Sequence, residues 1–425
     1  MDIGKTGNYS FITFRLDLDF PNSLLKRMDV GIFDDIDDAR LYATMVHEKT
    51  HLLQNLATSY GLWKTSHLLM AGNNVLHIAS SLQQEGYGGK LIMPLDELAP
   101  RGVPYQEDDL FSHFMIASLP YRRIACVDGP SGLPKKNWIF SNISPPADYT
   151  SPRMKDIRSD QICTFGTKDL IEGNARASEL AFIKNADDIS SDIASQLYKE
   201  LAFFIPYQSF LGLLDYATQE PTSSTFHLSL ILADLALNPM IPIDFGEDLL
   251  KITWEEFNPA YRYVLMADAI RENKLKFDNK CDIKSYQKTL LSIMKWNQQD
   301  LCIKTEFAKI EQMGLDRCFP KYSIRKLLEL RQMHGTVLGN WPLNGIFVEE
   351  HISKQSLNVE WMFLNYACQV AFQMYYYKKI KCPLHGVQMM SKECDEKCLL
   401  NLFIKGAFNL DIGEIIRRTE HDSNC

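Results

Sequence analysis

"DDIDDARLYATMVHEKTHLLQNLATSYGL" occupies residues 34–62. Acids crowd its start, where a helix N-terminus favours negative charge. No proline or glycine interrupts it before Gly61. The pattern predicts one long helix, and that helix carries His47 and His51 four residues apart, with Glu48 beside the first. Met45, Val46, Leu52 and Leu53 surround the histidines with aliphatic side chains.

Residues four apart on a helix lie one above the other on the same face. His47 and His51 can therefore aim ring nitrogens at one metal ion about 2 Å away. Glu48 is turned one residue around the axis. It is poorly placed as a third ligand but well placed to reach a water beside the ion. H-E-x-x-H thus specifies a mechanism as well as a spelling, and it arises by chance in roughly one or two chains per hundred of this composition. Lys49 is a departure, since it puts a charge at a variable position that is normally uncharged in peptidases with this motif.

A catalytic zinc commonly keeps three protein ligands and an open fourth position. The chain offers "KDLIEGNARASELAF" at 168–182. "EGNARASE" resembles the E-G-x-A-x-x-x-E signature on the second metal-binding helix of the gluzincin metallopeptidases, the thermolysin and aminopeptidase group. The resemblance covers some 25 residues on two helices. It implies Glu172 as third zinc ligand beside His47 and His51, and Glu48 as general base on zinc-bound water in peptide hydrolysis. About 120 residues separate His51 from Glu172, far more than is common in that group. The resemblance therefore implies a large insertion at 62–165.

Gly173 in a helix interior costs about 1 kcal/mol relative to alanine. With Ala177 and Ala181 at four-residue steps it makes a smooth ridge, the surface expected to let the histidine helix approach. Glu179, two turns beyond Glu172, is a candidate to orient a ligand from behind, and Arg176 to pair with either glutamate. An oxyanion donor is also required. His334, before a Gly-rich turn, and Tyr207, after Pro206, are the candidates. His67, His77, His113, His227 and His351 have no partner at metal spacing and read as structural.

A second cluster lies at 382–398, "CPLHGVQMMSKECDEKC". Cys382, His385, Cys394 and Cys398 form C-x2-H-x8-C-x3-C, a set suited to a closed, structural Zn2+. Four protein ligands leave no room for chemistry. The segment carries no excess of positive charge, so it does not read as a nucleic-acid knuckle.

The 425 residues are 46% hydrophobic and 23% charged, ordinary proportions for a globular chain. The net charge of −8 argues against a nucleic-acid backbone as partner. "TFHLSLILADLALNPMIPI" is the most apolar run, but His227, Asp234 and two prolines interrupt it, so a buried helix is expected and no membrane span. Ten cysteines with no leader pattern at Met1 suggest reduced thiols and a cytoplasmic setting. No prosegment is recognised either, so the insertion or the C-terminal region is expected to restrict access to the cleft, or the substrate to be narrowly chosen; a regulatory protein partner is a further expectation.

Alternation over 9–18 predicts a half-buried strand, and "NWIFSNI" at 137–143 a second, inside a Pro/Gly-rich loop at 128–153. "LNVEWMFLNYACQVAFQMYYYKK" sets Leu364, Ala367, Cys368, Ala371, Phe372 and Tyr375 at helical spacing, a core-facing stripe. The expected class is mainly α (α+β): a zincin-like metal-binding helix pair, a small N-terminal strand region, a large helical insertion and a helical C-terminal region. The expected segments are 1–130, with the strand and H-E-x-x-H helix; 131–345, with the third-ligand helix at 167–186; and 346–425, with the Cys/His cluster. The function that follows is a zinc metallopeptidase acting on a protein or peptide. Two other readings compete. One is a non-catalytic interaction module on a zincin-like scaffold, which Lys49 and the unplaced oxyanion donor favour. The other is a di-iron carboxylate bundle, which lacks the second E-x-x-H such sites use.

Overall fold

The computed structural model describes residues 7–10, 15–18, 35–84, 123–126, 138–141, 163–185, 189–202, 210–211, 213–214, 217–218, 226–241, 258–277, 282–319, 321–334, 366–367, 370 and 399–410. They are mainly α-helical. Strands β1 (Gly7–Ser10) and β2 (Arg15–Leu18) pair antiparallel, with Gly7 opposite Leu18. Helices α1 (Ile36–Leu56) and α2 (Ser59–Leu82) follow. A three-stranded antiparallel sheet has β3 (Arg123–Cys126) at its centre, between β4 (Trp138–Ser141) and β5 (Cys163–Phe165). Then come α3 (Thr167–Asn185), α4 (Ser191–Ala202), α5 (Phe226–Ala236) and α6 (Pro259–Glu272). The series closes with α7 (Ile283–Met294), α8 (Gln299–Gln312), a 3-10 turn at Asp316–Cys318, α9 (Lys321–His334) and α10 (Leu399–Phe408).

The chain divides into two compact units, each discontinuous: 1–63, 118–309 and 322–355 in one, and 64–117, 310–321 and 356–425 in the other. The boundaries expected near 130 and 345 follow the chain, whereas these units are assembled from separated stretches. Helices α1 and α3, which carry the two histidines and Glu172, belong to the first unit. In the second, His77 packs edge-on against Phe408, with ring centroids 5.2 Å apart.

Asp35 starts α1 by accepting hydrogen bonds from the main-chain N–H groups of Asp37 and Asp38, at 3.0 and 2.9 Å. The helix stops at Leu56, short of the Gly61 to which it was expected to run. The Thr58 hydroxyl bonds back to the Gln54 carbonyl and accepts from the Gly61 N–H, which closes the turn. Gly61 sits in the first turn of α2, against the end of α1. A Cβ there would lie 2.1 Å from the Gln54 carbonyl oxygen, so only glycine fits. The start of α2 is tied in turn to the end of α5, where Ser59 donates its hydroxyl to the Pro239 carbonyl at 2.7 Å and its N–H to Asn238.

Helices α1 and α3 form the most extensive pairing of elements. They run antiparallel. Ala39 and Ala43, early in α1, share a core cluster with Ile183, late in α3, and with Ile189 and Leu197 near and on α4. Gln54, late in α1, bonds to Ile171 and Asn174, early in α3. Strand β5 passes through Gly166 directly into α3, and the Gly166 N–H donates to the Asp169 carboxylate at 2.8 Å.

Three expectations are corrected here. The single strand at 9–18 is instead a pair of short antiparallel strands. The helix expected to run to Gly61 is broken at 57–58. At Gly173 the expected ridge makes room for an aromatic ring, since a Cβ there would meet the Phe210 ring at 2.5 Å. Phe210 stacks on Tyr263 of α6, with centroids 4.9 Å apart. The glycine therefore makes room for the Phe210 ring. The described part of the interval 62–165 contains most of α2 and three strands, and β4 falls within the strand expected at 137–143.

The apolar run at 225–243 forms α5, fully buried from Leu228 to Ala236. No described helix is long and apolar enough to cross a membrane. Asp234, inside α5, is answered by Arg331 of α9 through two contacts of 2.6 and 2.8 Å, and by the Gln299 amide at 2.8 Å. The same guanidinium caps the end of α1 by donating to the Ala57 carbonyl at 2.6 Å. Replacing Arg331 with methionine strands a buried carboxylate and should cost roughly 3–5 kcal/mol. Urea unfolding should show this loss, and Asp234→Asn added to Arg331→Met should recover part of it.

Candidate metal centre

Three side chains converge where α1 crosses α3. The Nε2 atoms of His47 and His51 lie 3.4 and 3.7 Å from the same oxygen, Oε2 of Glu172. One ligand atom from each of the three can be chosen so that all lie within 4.8 Å of one another. The rings of His47 and His51 stand nearly perpendicular, 84° apart, with centroids separated by 4.9 Å. Among the described residues this is the one trio of His, Cys, Asp or Glu that can hold a metal ion.

The distances discriminate between two arrangements. A good N–H···O hydrogen bond is about 2.7–3.2 Å long. Two ligands bound tetrahedrally to zinc at about 2.0–2.1 Å are about 3.4 Å apart. The two Nε2–Oε2 separations match the edge of that tetrahedron better than they match a hydrogen bond. The donor set, two imidazoles and a carboxylate, is one that zinc accepts.

The histidine side chains are 10% and 12% exposed, whereas that of Glu172 is 31% exposed. The cluster is thus walled by protein on the histidine side and open to solvent on the carboxylate side. Structural zinc sites are closed, and catalytic sites keep an open position.

A second layer backs each histidine. Nδ1 of His47 is 3.3 Å from Oε2 of Glu179, and Arg176 makes a close ion pair with that same oxygen. Nδ1 of His51 is 2.8 Å from Oε1 of Gln54. Gln54 reaches on to the Ile171 carbonyl at 2.9 Å and Asn174 Oδ1 at 2.7 Å. Of these residues the sequence reading singled out Glu179 and Arg176 but not Gln54 or Asn174. Gln54 falls three residues after His51, a spacing that places it on the same face.

Electrostatics follow from this crowding. Burial opposes charge on His47, but Glu179 and Glu172 outweigh it and hold the imidazolium up to about 10. Burial likewise works against a charged Glu172, yet His51 and His47 keep its carboxyl well below the usual range. A metal ion entering here must displace the His47 proton, since only neutral imidazole ligates. Glu48 is 7% exposed, and burial raises its carboxyl above the ordinary range against the pull of His47 and His51. Lys49 is pushed down to about 8 by burial.

The remaining candidates stand apart from this geometry. His334 is the last residue of α9, but its side chain lies outside the described residues, as does Tyr207. Cys382, His385, Cys394 and Cys398 also lie outside them. Comparison of the chain with family models, characterised proteins and solved structures returned no match.

Replacing Glu172 with alanine should weaken zinc binding by more than the ~10–100-fold that loss of an outer partner costs. His47→Ala together with His51→Ala should abolish binding at this site. Zinc content by mass spectrometry and chelator competition would check both, and any zinc surviving in the double variant would point to the cysteine cluster.

Proposed function

We propose that the chain is a zinc-dependent hydrolase of peptide bonds with a gluzincin-like centre. One observation carries the reading: two Nε2 atoms lie 3.4 and 3.7 Å from one carboxylate oxygen, near the edge length of a zinc tetrahedron, with a buried glutamate next in sequence to the first histidine. His47, His51 and Glu172 would hold the ion. A zinc ion bound there supplies a Lewis acid that polarises a carbonyl and makes water acidic near neutral pH.

The protein's own residues supply the rest. Glu48 takes the proton of the attacking water. Its raised carboxyl makes it a stronger base than an exposed glutamate, and the proton can then be delivered to the departing amine. Glu179 and Arg176 hold the His47 ring, and α1 and α3 fix all these groups on rigid elements. The exposed edge of Glu172 marks the side open to a peptide. A buried cysteine thiol at Cys302 fits a reducing compartment such as the cytoplasm, where the reading would set the enzyme.

Glu48→Gln is the direct test, because it keeps the volume and removes the base. It should retain zinc and lose about 10²–10⁴-fold in hydrolysis. Peptides from a digested proteome, incubated with zinc-loaded parent and variant, would be read by mass spectrometry. Cleavage by the parent alone supports the assignment. Equal cleavage by both overturns the role of Glu48. Intact peptides with both favour a non-catalytic interaction module built on the same scaffold.

A further inference from the structure

We propose that Gln54 is the positioning residue for His51. Its side-chain oxygen holds a proton on Nδ1, which leaves Nε2 as the metal-facing nitrogen, and its side-chain nitrogen locks that arrangement to the third-ligand helix. The inference deepens the metal-centre reading and rests on it.

The argument begins at Ile171. Its main-chain carbonyl can only accept, so the Gln54 atom 2.9 Å away must be the NH2 group. The second amide hydrogen goes to Asn174 Oδ1 at 2.7 Å. With both hydrogens spent on α3, the atom that faces His51 Nδ1 at 2.8 Å is the amide oxygen, which cannot donate. Nδ1 therefore carries the hydrogen. A neutral imidazole with its hydrogen on Nδ1 has its lone pair on Nε2, the atom 3.7 Å from Glu172 Oε2.

One side chain thus performs three tasks. It selects the tautomer of His51, fixes the rotation of the ring, and grips α3 on both sides of Glu172, at positions 171 and 174. Gln54 is 3% exposed, so water does not substitute for these contacts. Few residue types meet the demand. A glutamate accepts from His51 but cannot donate, and it would face two acceptor oxygens. Asparagine is one methylene shorter. The two histidines are consequently steered by unlike chemistry, His47 by the Glu179 carboxylate and His51 by a neutral amide.

The test uses the full chain. Gln54→Met keeps an unbranched side chain of similar length and removes every polar contact. Chelator competition should show zinc affinity falling about 10–100-fold while circular dichroism stays unchanged. Gln54→Glu restores only the acceptor and should bind zinc more tightly than Gln54→Met. A merely structural Gln54 would lower the thermal midpoint in both variants without moving zinc affinity; that result, or equal weakening in both, overturns the proposal. A measurement on the parent needs no variant. Proton–nitrogen correlation spectra of the zinc-loaded protein should show His51 protonated at Nδ1 and metal-shifted at Nε2. Zinc on Nδ1 overturns the assignment even if both variants fail to fold. A parent that binds no zinc overturns the metal centre itself, an outcome seen before the variants are compared.

Discussion

The structure depends on a polar seam between α1 and α3. His47, Glu48, Gln54, Asn174 and Glu179 are all less than 9% exposed there. Burying such groups is expensive unless each finds a partner. The partners are mutual: Glu179 answers His47 and Arg176, Glu172 answers both histidines, and Gln54 joins His51 to α3. Alanine and leucine would pack this interface at far lower electrostatic cost. Two imidazoles and three carboxylates gathered in one place are what the proposed metal centre requires.

Apolar packing gives the seam its precision. On one side of the site, Ala39 and Ala43 let Ile183, Ile189 and Leu197 close around α1. Gly173 admits the Phe210 ring, and Phe210 is itself held by Tyr263. At the other end, Arg331 joins α9, α5 and the last carbonyls of α1 through a single buried guanidinium. These supports come from stretches far apart in the chain, and together they allow little freedom to slide one ligand helix along the other. A shift of one turn would be about 5.4 Å and would carry Glu172 out of reach of both histidines.

Helical periodicity made the first half of the site legible. Four-residue spacing puts His47 and His51 on one face in any α-helix, whatever surrounds it. Glu172 needed a short resemblance on a second helix, because spacing within one helix does not reveal which distant element will face it. Gly173 shows the limit: a small residue was readable there, but the Phe210 ring it admits comes from another segment of the chain. Gln54 was missed for a related reason. A glutamine in a helix is ordinary on a surface, and only its burial against a carbonyl 117 residues away distinguishes it. The early end of α1 escaped notice because the Thr58 and Gly61 turn is closed by local hydrogen bonds that no hydrophobic pattern records.

The distribution of exposure favours chemistry over a purely structural ion. A structural centre gains most from ligands that are all buried and all satisfied. Here the histidines are enclosed while the shared carboxylate is partly open, and an additional acid sits buried beside the cluster with its proton affinity raised. Glu48 adds nothing to the holding of a metal that His47, His51 and Glu172 do not already supply. Its burial costs stability, since desolvation disfavours its charge. A buried acid of that kind, next in sequence to His47, fits the base that the proposed hydrolysis requires.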